Sequence, residues 1–192
     1  MHELFFQKLN EKILFSEEEQ SIIKGYLTTK KIRRKQYLLQ EGDVCKTLAF
    51  VEKGALKEYT VDEKGSEHIL QFALEGWIIS DLYSFMTGEP ATYNIEAIED
   101  SEVVLITKLA QEEIFKKVPK YESYSRMQIT GAYLAMQKRV NSLISLSLEE
   151  RYLYFTSLYP SIVQRVPQHM IASYLGLTPE TVSRIRKKLA LK

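Results

Sequence analysis

Near the C-terminus, Glu180, Ser183 and Arg184 place an acceptor, a short hydroxyl and a forked donor within little more than one helical turn. That combination suits the base edges of a DNA major groove. Arg184 can donate two hydrogen bonds to guanine O6 and N7, Glu180 can accept from cytosine N4, and Ser183 is small enough to let a helix come close. Around them Thr178, Thr181, Arg186, Lys187 and Lys188 suit phosphate oxygens, whose contacts fix register and give salt-dependent affinity without reading sequence.

Those side chains need a rigid carrier, and the segment Gln168 to Leu189 reads as two short helices around a glycine turn. Ala172 is small where the helices would cross, and Gly176 stands where a positive φ is needed. Ile171, Leu175, Leu177, Val182 and Ile185 would form the shared apolar core. Thr178 is placed to cap the second helix, with Pro179 in its first turn, where a missing N–H costs nothing. With Val182 and Ile185 turned inward, Glu180, Thr181, Ser183, Arg184, Lys187 and Lys188 are left for the outer faces, the arrangement of a helix-turn-helix.

Upstream, a long helix is expected from about Lys120 to Ser145. Ile129, Tyr133, Met136, Val140 and Leu143 step by four, three, four and three, the spacing of a coiled-coil seam, and predict a dimer interface. Ser147 then starts a further helix, with Glu149 and Glu150 in its first turn, that should end at Pro160. A short helix is expected over Leu109–Val118. Residues 1–30 read as amphipathic helices, with Leu4, Phe5, Leu9 and Ile13 at helical spacing and Ser16 capping an acidic turn, Glu17 to Glu19.

Between these helical ends, Ile32 to about Ile106 breaks into short β-type runs punctuated by Gly42, Gly54, Gly65 and Gly76. Such regular turns suggest a β-sandwich or barrel. Asp62 to Ser66 should be a hairpin turn between Leu56–Val61 and Glu67–Phe72.

The net charge of +1 conceals an asymmetry. Over 160–192, Arg165, Arg184, Arg186, Lys187, Lys188 and Lys192 oppose Glu180 alone, giving +5 and leaving −4 for the rest. Cys45 is the single cysteine, so one chain offers no disulfide, thiolate zinc site or iron–sulfur cluster. His2, His68 and His169 show no ligand spacing, which leaves no metal or haem site in prospect. No glycine-rich phosphate loop, metalloprotease motif or nucleophile signature is present, and Asp81 has no paired acid or base nearby in sequence. An enzyme is not expected. The longest apolar runs fall far short of the ~20 residues that cross a bilayer. The N-terminus also lacks a secretory signal, so a cytoplasmic protein without a membrane partner is expected.

The stretch Ala172-Ser-Tyr-Leu-Gly-Leu-Thr-Pro-Glu-Thr-Val-Ser-Arg184 resembles the Crp/Fnr family of transcription regulators. Glu41-Gly42-Asp43, Lys53-Gly54, Lys64-Gly65 and Glu75-Gly76 resemble that family's cyclic-nucleotide-binding jelly roll. The resemblance implies an α+β chain with three parts: a double-stranded β-helix effector domain over 1–118, a dimerisation helix over 119–146 and a helix-turn-helix domain over 147–192. It further implies a homodimer on a palindromic operator, contact with RNA polymerase, and base reading through the pattern Glu-x-x-Ser-Arg, here Glu180, Ser183 and Arg184. Half-sites like TTGA would follow. The cyclic-AMP branch carries a basic residue where this chain has Pro179.

Two departures qualify what the resemblance implies. Nucleotide-binding members hold the ribose with Gly-Glu and the phosphate with Arg-Ser or Arg-Thr, where this chain has Ser80-Asp81-Leu82 and Ala91-Thr92. Without that arginine, cyclic AMP loses its charge-assisted partner, and no cofactor is expected. Another small effector would then sit around Trp77, Ser80, Asp81, Leu82, Ala91 and Thr92, or the roll serves as a scaffold. The sequence also stops at Lys192, where relatives continue into a two-stranded wing, so Lys187, Lys188 and Lys192 would have to supply its phosphate contacts. The alternative is a ligand-binding or protein-interaction module whose basic tail docks a partner protein.

Overall fold

Helix signals written locally into the chain are realised as hydrogen bonds in the computed structural model, which describes residues 2–190. Helix α1 covers Glu3–Asn10 and α2 covers Glu17–Lys24. Ser16 accepts from the Glu19 backbone N–H while Glu19 accepts from that of Ser16, a complete capping box. Eight strands follow: β1 Thr28–Ile32, β2 Tyr37–Leu39, β3 Thr47–Lys53, β4 Leu56–Val61, β5 Glu67–Ala73, β6 Ile78–Ile79, β7 Asn94–Ala97 and β8 Ser101–Thr107. The short helix α3, Leu82–Thr87, separates β6 from β7.

The strands form two antiparallel sheets of interleaved order, β1-β8-β3-β6 and β2-β7-β4-β5. This is the jelly-roll arrangement that the family resemblance implied, a two-sheet sandwich of the kind the glycine spacing suggested. Gly54, at φ 100° between β3 and β4, shows why glycine punctuates it: a Cβ there would stand 2.2 Å from the Ser101 hydroxyl. Strand pleating then sorts side chains into two cores. Ala49 and Val51 of β3 and Val103 of β8 point into the roll with Leu39, Leu56, Ile79 and Ile95. Phe50, Val104 and Ile106 point outward, onto Phe5, Leu9 and Ile23 from the N-terminal helices. The rings of Phe5 and Phe50 meet edge to face at 5.2 Å.

Beyond the roll come α4 Lys108–Lys117, α5 Pro119–Ser145, α6 Leu148–Leu158, α7 Pro160–Arg165, α8 Gln168–Leu175 and α9 Pro179–Ala190. Ser147 and Glu150 form the second capping box. Helix α6 ends just before Pro160, as expected from sequence, and Pro160 opens α7 at a position where proline's missing N–H is harmless. No helix among the described residues is long and apolar enough to cross a membrane.

By packing, the chain divides into Met1–Thr60 with Gln71–Ile129, and Val61–Leu70 with Thr130–Lys192. Helix α5 contributes to both. In the second unit the turn of the β4–β5 hairpin is held by Asp62, whose carboxylate accepts from the backbone N–H groups of Lys64 and Ser66, each at 2.9 Å. Its other oxygen lies 2.8 Å from His68 Nε2.

Candidate nucleic-acid interface and roll cavity

The C-terminal pair α8 and α9 is built as the sequence dictates. Ile171, Ala172, Leu175, Val182 and Ile185 are buried, joined by Tyr152 and Phe155 of α6 and Ile162 of α7, while Leu177 is half-buried. Gly176 ends α8 at φ 66°. The Thr178 hydroxyl accepts from the Thr181 backbone N–H at 3.2 Å and so starts α9. A further tie is Arg151, which donates to the carbonyls of Leu175 at 3.0 Å and Leu143 at 2.8 Å.

With Val182 and Ile185 inside, Pro179, Glu180, Ser183, Arg184 and Lys187 line one open groove on α9. Glu180 and Arg184 are exposed and Ser183 is half-exposed. The Glu180 carboxyl is held below its ordinary range by its own backbone N–H and the Thr178 hydroxyl, which keeps it an ionised acceptor. The cations around the groove differ in engagement. Arg186 donates to the Gln168 side chain at 2.9 Å and Lys188 pairs with Glu149 of α6. Arg184 and Lys187 have no ion pair among the described residues. Lys192 lies outside the described residues.

Along α5 the five seam residues are all exposed, from 36% for Leu143 to 65% for Tyr133. Met127, Leu134 and Ile144 are exposed as well.

In the roll, the residues expected to surround an effector take separate roles. Asp81 is buried and its carboxylate caps α3, accepting from the Ser84 N–H at 2.9 Å and from the Thr92 N–H at 3.0 Å. Ala91 is buried, Leu82, Thr92 and Trp77 are exposed, and Ser80 lies 3.4 Å from the Cys45 sulfur. The concavity of the roll, about 550 Å³, is lined by other residues, among them Tyr37, Leu39, Cys45, Lys46, Ile79 and Ile95.

Asp81 influences an acid distant in sequence. Glu58, on β4, is 3% exposed, and its pKa is pushed up to about 8, chiefly by burial and further by the charge of Asp81. In sequence Glu58 is one charged residue between Lys57 and Tyr59, and nothing local announced its burial. A cyclic nucleotide's phosphate does not fit these residues: Ala91 and Thr92 bring no cation, and the Thr92 N–H is already bonded to the Asp81 carboxylate.

Comparison with known proteins agrees with this architecture. Residues 29–118 match the cyclic nucleotide-binding domain. Over 167 residues the chain is 29% identical to the fumarate and nitrate reduction regulatory protein of Vibrio cholerae, covering 81% of this chain. The match spans 66% of that relative's length, just under two thirds. Among solved structures, FixK2 of Bradyrhizobium japonicum superposes with a TM-score of 0.73 at 22% identity, covering 86% of this chain and 85% of its own. A regulator of the Crp/Fnr family from Eubacterium rectale gives 0.69 at 18% identity, covering 92% and 84%.

Proposed function

We propose that this chain is a transcription regulator of the Crp/Fnr type that binds a palindromic DNA operator as a homodimer, reading bases with Glu180, Ser183 and Arg184. The observation that carries the reading is the sorting of α9. Its apolar residues are buried against α8 and α6, while an ionised acceptor, a hydroxyl and an unpaired arginine share one open groove. A groove of that polarity, on a helix held by a glycine turn, complements a major-groove edge. Thr178, Thr181, Arg186, Lys187 and Lys188 flank it as phosphate contacts. The exposed apolar seam Ile129, Tyr133, Met136, Val140 and Leu143 supports self-association through α5, since an isolated helix rarely leaves such a stripe in water. Two recognition helices would then meet successive major grooves roughly 34 Å apart. The roll serves as the effector domain, and contact with RNA polymerase completes the regulator.

Selection of bound sequences from random duplex DNA tests this directly. The expected result is a two-fold symmetric consensus. Arg184→Ala should relax preference at one base pair per half-site by about 1–3 kcal/mol while leaving non-specific binding nearly intact. A tail that docked a protein partner would yield no consensus.

A further inference from the structure

We propose that the roll interior is a binding site for a small cationic ligand, an amine or amidine on an apolar body, with Glu58 as its anchor. The inference rests on the reading of the roll as an effector domain and names the chemistry that domain selects.

Register fixes the direction of Glu58. Its neighbours Lys57 and Tyr59 take the opposite face of β4: the Lys57 ammonium lies 4.0 Å over the Tyr59 ring, and the Tyr59 hydroxyl donates to Glu96 at 2.9 Å. Pleating therefore turns Glu58 inward with Leu56. Ile95 of β7 stands directly opposite Glu58, and Leu39 of β2 stands opposite Ile95. Leu39, Ile95 and Glu58 thus form one row across three neighbouring strands, and the first two line the cavity.

The carboxyl at the end of that row is nearly sealed yet unmatched. Among the described residues no group hydrogen-bonds to it, and its oxygens are absent from the polar atoms that are both unpartnered and closed off. They therefore keep a little contact with solvent, next to the residues that line the cavity. A buried polar group without a partner is costly, so proteins rarely keep one unless something completes it.

Charge selects what completes it. Asp81, the acid whose field reaches Glu58, directs its carboxylate oxygens to two backbone N–H groups and makes no hydrogen bond to Glu58. An anion would meet the Asp81 carboxylate and oppose ionisation of Glu58, whereas a cation is attracted by Asp81 and favours loss of the Glu58 proton to solvent, which leaves an ion pair. Asp43 and Lys46, both exposed in the lining, offset one another. Leu39, Val44, Ile79 and Ile95 supply the wall for an apolar body.

Calorimetry on the full chain with benzamidine and phenethylamine tests the site. Benzamide and 2-phenylethanol serve as their uncharged counterparts, with benzoate and cyclic AMP as anions. The expected result is one cation site per chain, with affinity roughly tenfold or more above the uncharged counterpart, the scale of one charge-assisted hydrogen bond. Glu58→Gln should abolish that preference and leave the uncharged probe's weak binding unchanged. Val44→Trp, an exposed position in the lining, should weaken charged and uncharged probes alike. The proposal is overturned if neither cation binds more tightly than its counterpart, if the preference survives Glu58→Gln, or if Val44→Trp changes nothing. DNA selection on the same proteins separates the two readings. A palindromic consensus without cation binding sinks the ligand and spares the regulator; cation binding without a consensus does the reverse.

Discussion

The guanidinium of Arg139 lies 4.0 Å over the ring of Tyr174, and it donates to the backbone carbonyls of Ile69, Leu70 and Tyr174. One side chain of α5 therefore joins the hairpin segment 61–70 to α8 inside a single unit. Burial lowers the pKa of Arg139, but its bonds and the tyrosine ring replace much of the lost hydration. Arg139→Ala should strand three carbonyls and lower the stability of this unit by roughly 1–3 kcal/mol per acceptor left buried. Arg139→Lys should rescue little, because an ammonium cannot reproduce the planar fork or its stacking. Urea unfolding followed by tyrosine fluorescence would measure both; full recovery with lysine would refute the geometric account.

Lys187 and Lys188 are adjacent and equally charged, but their surroundings make them unequal partners for a phosphate. Lys188 is paired with Glu149 and must give up that contact, whereas Lys187 already lines the open groove. Lys187→Ala should reduce the slope of log affinity against log salt by about 0.9, one phosphate's worth. Lys188→Ala should do less, and Glu149→Gln should strengthen binding at low salt. Equal slopes for the two lysine variants would contradict this difference.

Glu58 predicts a stability profile of definite sign. Its carboxyl is protonated in the folded chain up to about pH 8, while in the unfolded chain it ionises near the ordinary value of 4.5. Between those limits the folded state binds the extra proton, so raising pH favours unfolding by at most about 1.4 kcal/mol per pH unit from this group. Stability from this source is complete below pH 4.5 and is lost progressively toward pH 8. Glu58→Gln should flatten the decline across that window, with little change near pH 4.5. Thermal melts of the two proteins at several pH values would show whether their curves diverge as pH rises.

On α5, Tyr133 and Met136 sit at neighbouring seam positions and are 65% and 54% exposed. Charges there would face each other across a dimer. Tyr133→Glu with Met136→Glu should give a monomer by sedimentation, with its folded roll intact, and should weaken operator binding far more than non-specific binding. A double variant that remains dimeric would remove the seam from consideration.

What the sequence disclosed follows from what is local. Caps at Ser16, Ser147 and Thr178, the glycine turn at Gly176 and the apolar stripe of α5 each arise within a few residues, and each is found where its signal stood. The glycine rhythm conveyed a β-sandwich or barrel, but not that β1 pairs with β8 or β2 with β7, pairings set by distant segments. The interior of the roll was the least legible part. Lys57 and Glu58 look alike as surface residues of a strand, and only the sheet's register sends one toward Glu96 and the other inward. Arg139 was equally silent, because it donates to main-chain carbonyls some seventy positions upstream and thirty-five downstream, and main-chain atoms carry no sequence signature. Asp81 showed the opposite problem: alignment with a ligand-binding position suggested a pocket residue, and the chain uses its carboxylate as a helix cap.

Among the described residues, strand β5 is the last in its sheet, so its outer edge meets no further strand. Ser173 takes two of its backbone groups, donating to the Glu67 carbonyl and accepting from the Ile69 N–H, and Arg139 takes the carbonyls of Ile69 and Leu70. Side chains thus occupy the template on which a foreign strand could otherwise grow. Loss of that hydroxyl and that guanidinium together would make aggregation, rather than simple unfolding, the characteristic failure of this protein.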